Sequence, residues 1–149
     1  MMNIDFGKCF KIAMIPIVVL IVVNLVENFI GWIPFLGMIL CLIWPLFTLA
    51  RVLVVAWAGW SAAKAGMDLL GGAVTGAITG AIGALVGAIL SFGLNIVGIG
   101  ADAVSGQAGV GSIIGAGFGI IAIILAPIGG AIFGAIFGAV GAFVAGMKK

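Results

Sequence analysis

Asn24, Glu27, Asn28, Arg51, Thr75 and Thr79 are polar side chains set within apolar stretches, and any chemistry this chain performs has to start from them. Asn24, Glu27 and Asn28 stand at i, i+3 and i+4, which puts them on one face of a helix. Such a face can hold an ion or a polar substrate, or it can hydrogen-bond to a neighbouring helix. A charge within a membrane span costs about 2.5–3.5 kcal/mol on insertion scales, so Arg51 has either to snorkel to an interface or to find an interior partner or a pore to line. Counting along the chain predicts Glu27 near the outer end of its helix. It predicts Arg51 about 24 Å into the next one, on the cytoplasmic half, an axial gap too large for the two to pair within one chain unless the helices are shifted, with a neighbouring protein as the other source of a partner. Thr75 and Thr79 are candidates to face a lumen.

The same inventory excludes most reactions. With no His and no Tyr, the commonest general base and metal ligand are missing. Cys9 and Cys41, the two thiols, have no accompanying ligands and read as small hydrophobes without a disulfide. The sequence therefore proposes no catalytic, cofactor-binding or metal-binding residue, and a net charge of +2 is too small and scattered for nucleic acid. Residues that are 65% hydrophobic and 7% charged, with a mean hydropathy of +1.51, cannot make a water-exposed surface. The expected solvent and partner is membrane lipid.

The elements that must position the polar residues follow from the apolar runs. They predict an all-α integral membrane protein of four transmembrane helices, about 11–30, 35–60, 69–97 and 112–146, in a single membrane domain. A polar loop is expected over 98–111. Pro16 falls in the first turns of the first helix, Pro45 interrupts the second, and Trp32, Trp57 and Trp60 suit headgroup levels. The run Ile12–Val23 behind Lys8 and Lys11 resembles a secretory leader but ends without a small-residue cleavage pattern, and it is read as a retained span. About 35 residues from 112 to 146 exceed a simple crossing, so the alternative is an extra short or re-entrant helix at 112–126. Lys8, Lys11, Lys64, Lys148 and Lys149 all fall on one side of a four-span chain, with Asp102 on the other. The positive-inside rule then predicts an inner (cell) membrane protein with both termini cytoplasmic.

The last two helices share a pattern. Residues 71–89 and 129–147 match at eleven of nineteen positions with an offset of 58, an internal repeat. Gly72, Gly76, Gly80, Gly83 and Gly87 form one stripe, and Gly130, Gly134, Gly138 and Gly141 form its counterpart. Each Gly costs a helix about 1 kcal/mol relative to Ala, a cost that close backbone approach in lipid can offset. The stripes predict a glycine zipper, either between two helices of one chain or between copies in a homo-oligomer. In texture they resemble the inner helices of ATP-synthase rotor rings and the pore helices of small mechanosensitive channels. A rotor subunit needs a mid-helix acid, and neither helix has one.

These features predict a non-enzymatic membrane protein, a structural or accessory subunit packing through its glycine-zipper helices into an oligomer or with a membrane-protein partner. The alternative is a small oligomeric pore, channel or transporter-like protein.

Overall fold

The computed structural model describes residues 5–31, 34–104 and 110–147, and the side chains of 5–30, 43–97 and 119–147. Trp32, Lys148 and Lys149, and the side chains of Cys41 and Asp102, lie outside the described residues. Four helices make up the described chain: α1 (Phe6–Gly31), α2 (Pro34–Lys64), α3 (Leu69–Val104) and α4 (Val110–Gly146). Each contains a segment long and apolar enough to cross a membrane. The protein is an all-helical, multi-pass membrane protein.

The helix ends differ from those expected, for local reasons. α1 begins five residues early because Asp5 caps it, its carboxylate accepting from Lys8 N–H at 3.1 Å. Pro16 therefore lies in the helix interior, fully buried, and not in the first turns. α2 continues past Trp60 to Lys64 and closes in a Schellman turn: Met67 N–H reaches Ala62 C=O and Gly66 N–H reaches Ala63 C=O, both at 3.1 Å. Gly66 supplies the left-handed residue this turn requires, at φ 83°. Asp68 starts α3 by accepting from Gly71 N–H at 2.8 Å. The loop expected over 98–111 is helical through Val104 and again from Val110, since Gly98 and Gly100 weaken a helix without blocking it. α4 runs unbroken through Pro127, so the expected alternative of a separate element at 112–126 is not what forms.

α3 touches all three other helices, and α2 does the same, whereas among the described residues α1 and α4 make no contact. α1 and α3 run side by side in the same direction: Cys9 lies against Gly71, Leu20 against Gly83 and Asn28 against Ser91. α3 and α4 run in opposite directions. The inner face of α1 is Cys9, Ala13, Ile17, Leu20 and Asn24, and that of α2 includes Val55, Ala58 and Ala62. Outward faces are bulky and apolar, as lipid contact requires: Val18, Val22 and Phe29 on α1, Leu46, Leu49 and Leu53 on α2, Ile132, Phe133, Ile136 and Val140 on α4.

Glycine decides how close the interior can come. A Cβ on Gly76 would stand 2.7 Å from the Gly138 Cα, and one on Gly80 would stand 3.0 Å from the Gly134 Cα. Gly72 packs on Ala142 and Gly138, and Gly130 on Gly80 and Ala84. The stripes do not continue as one contact. Gly83 instead makes room for Leu20, and Gly87 for Asn24, both on α1, while Gly141 meets Ala56 of α2. Gly59 of α2 adds a third backbone at Gly138, 2.6 Å from its Cα for a built Cβ. Gly138 is thus a junction of three helices where any side chain would strike main chain.

Candidate functional site: an intramembrane polar cluster

Where α1, α2 and α3 meet, the polar side chains of the sequence come together. Asn24 is 4% exposed, with its amide nitrogen donating to Gly83 C=O of α3 at 3.0 Å. That carbonyl is reachable because Gly83 and Gly87 present no side chains on this face. Arg51 of α2 donates through Nη2 to Asn24 Oδ1 at 2.7 Å and to the Glu27 carboxylate. Asn28 donates to the Asn24 backbone carbonyl at 2.8 Å and accepts from the Ser91 hydroxyl of α3 at 2.9 Å. The cluster ties three helices with hydrogen bonds.

This arrangement corrects the sequence reading of Arg51 and Glu27. Helix α2 begins at Pro34 and carries Pro45 in its interior. Counted from Pro34, Arg51 lies about 26 Å along α2, while Glu27 lies about 6 Å before the end of α1 at Gly31. The two side chains nonetheless pair within one chain, so depth counted from the helix ends does not decide which residues of α1 and α2 are level. Arg51 also stands about 20 Å along α2 from Lys64, so it is not near the lysine-bearing end. Glu27 is 13% exposed and Arg51 is 38% exposed, and the Arg51 Nε is buried without an acceptor.

Thr75 and Thr79 are elsewhere and do something different. Both are fully buried, and their hydroxyls donate back along α3 at 2.8 Å, to Gly71 C=O and Thr75 C=O. Enclosed and satisfied in this way, neither faces a lumen. Ser91 is the participant that sequence reasoning missed, because a single serine in an apolar helix carries no periodic signal. Cys9 is buried and free, 4.0 Å from Met67 Sδ. Among the described residues no group of three His, Cys, Asp or Glu side chains comes together.

Chemically, the cluster is a set of donors and acceptors that largely answer one another. It sets Arg51 and Glu27 against each other and fixes the relative rotation of α1, α2 and α3. The chain matches no protein-family model, no curated protein and no solved structure.

Proposed function

We propose that this protein is a non-enzymatic structural or accessory subunit of the cell (inner) membrane, with both termini cytoplasmic, that associates with its own copies or with a membrane-protein partner. The observation that carries the reading is the interior: backbone packed on backbone at Gly138, and Arg51 and Glu27 committed to each other. Such an interior suits a rigid module, and it leaves no side chain of the cluster positioned as a free acid, base or nucleophile. In this reading the repeated Gly faces of α3 and α4 act as a glycine zipper that closes the single chain. Association with other proteins then uses the outward faces, such as Ile132, Phe133, Ile136 and Val140 of α4.

A small pore is the second reading, and Thr75 and Thr79 no longer support it. The two separate in one experiment, in which the protein is purified into nanodiscs for mass determination and into liposomes for ion flux. A discrete oligomer or a co-purifying membrane protein, without flux above empty liposomes, supports the structural role. Flux that scales with protein content overturns it.

A further inference from the structure

At the lysine-bearing end, the α2–α3 turn and the C-terminal turn of α4 enclose an open groove of about 460 Å³. Its walls are mainly apolar, with Met67, Leu69, Phe143 and Met147, and its polar rim is Lys64 and Asp68. The two rim charges are not equivalent. The Asp68 carboxylate is occupied by the first turn of α3 through Gly71 N–H, where the helix N-terminus offsets its charge. Lys64 is exposed, with its ammonium 3.9 Å from the centre of the Trp60 ring, and among the described residues no carboxylate bridges it. Two further lysines, Lys148 and Lys149, follow Met147 in the sequence.

We propose that this groove seats one anionic phospholipid, the headgroup phosphate at Lys64 and the upper acyl chain on Met67, Leu69, Phe143 and Met147. Three features favour a lipid of that charge. The groove lies where three helices end, at the level of a headgroup region. An apolar floor beside a cationic rim matches the amphipathic shape of a phospholipid, and basic pockets between membrane helices select acidic headgroups. The Trp60–Lys64 pair is an interfacial aromatic with a cation, which places the positive charge beside the floor. The inference is independent of the oligomeric reading, since the groove is complete within one chain.

The test uses Trp60 as reporter, in the full chain carrying Trp32→Phe, Trp44→Phe and Trp57→Phe, in phosphatidylcholine nanodiscs doped with a brominated lipid. Brominated phosphatidylglycerol should quench Trp60 about fivefold more effectively than brominated phosphatidylcholine, the preference expected of one lysine at an anionic headgroup. Lys64→Gln should bring the ratio close to one. Gly146→Leu should reduce quenching by phosphatidylglycerol, because Gly146 lines the groove and a Cβ there meets nothing within 4 Å. Native mass spectrometry of the unmodified chain, mixed with both lipids, should show a retained phosphatidylglycerol that Lys64→Gln loses. Equal quenching by the two lipids, or a preference that survives Lys64→Gln, overturns the proposal.

Discussion

Arg51 on α2 and Glu27 on α1 form an ion pair inside the membrane-spanning part of the protein, and Asn24 shares the same guanidinium nitrogen. Of the pair, Glu27 has the more to lose. It is largely enclosed, so removing Arg51 strands a carboxylate that has little access to water, whereas removing both charges strands nothing.

That asymmetry gives the first prediction. Arg51→Leu should lower the melting temperature in detergent, and Arg51→Leu with Glu27→Leu should recover most of the loss. The double-mutant cycle should return a coupling of about 1–3 kcal/mol. A silent Arg51→Leu would mean that the arginine only snorkels.

The glycines divide into two groups with opposite expected signs. A Cβ at Gly93 or Gly129 meets nothing within 4 Å, so Gly93→Ala and Gly129→Ala should be neutral or stabilising by up to about 1 kcal/mol from helix propensity. At Gly59 and Gly141 the same methyl runs into the main chain of Gly138 and Ala56. Gly59→Ala and Gly141→Ala should melt lower than wild type. Thermal unfolding of the four variants in one detergent checks the contrast.

The α2–α3 turn should be sensitive through backbone conformation alone. Gly66 has open space around it but φ at 83°, so Gly66→Ala should cost about 1 kcal/mol or somewhat more without any clash. Asp68→Ala, which removes the α3 cap, should cost about 1 kcal/mol. Equilibrium unfolding measures both.

The topology we propose makes the α2–α3 turn cytoplasmic and Ala103, beyond the α3 span, external. In a Cys9→Ala, Cys41→Ala background, Ala103→Cys should react with an impermeant maleimide added outside intact cells. Ala65→Cys should react only after lysis. Labelling of both from one side would contradict the topology.

The four spans were legible in the sequence because long apolar runs have few alternatives in lipid. The faces were legible too: 3.6-residue spacing tells which glycines share a side of a helix. It does not tell which neighbour they meet, and so Gly83 and Gly87, read as a continuation of the α3 stripe, turn out to accommodate Leu20 and Asn24 of α1. The Arg51–Glu27 pair was hidden for a related reason. Its axial match depends on how α1 and α2 are shifted against each other, and residue counting from the helix start cannot supply that. Thr75 and Thr79 suggested a lumen by being polar, but their hydroxyls are satisfied by their own helix.

Backbone contact at Gly138 joins α2, α3 and α4 within one chain. A single methyl group tests it most directly, because the two relevant effects have opposite signs. Helix propensity favours Gly138→Ala by about 1 kcal/mol, while close packing in lipid opposes it, since the added carbon would lie 2.8 Å from the Gly76 Cα and 2.6 Å from the Gly72 carbonyl oxygen. The deciding measurement is the melting temperature of Gly138→Ala against wild type, at several protein concentrations, with Ile136→Leu on the outward face as control. Gly138→Ala should melt clearly lower at every concentration, and Ile136→Leu should not. An unchanged or raised melting temperature for Gly138→Ala would contradict it.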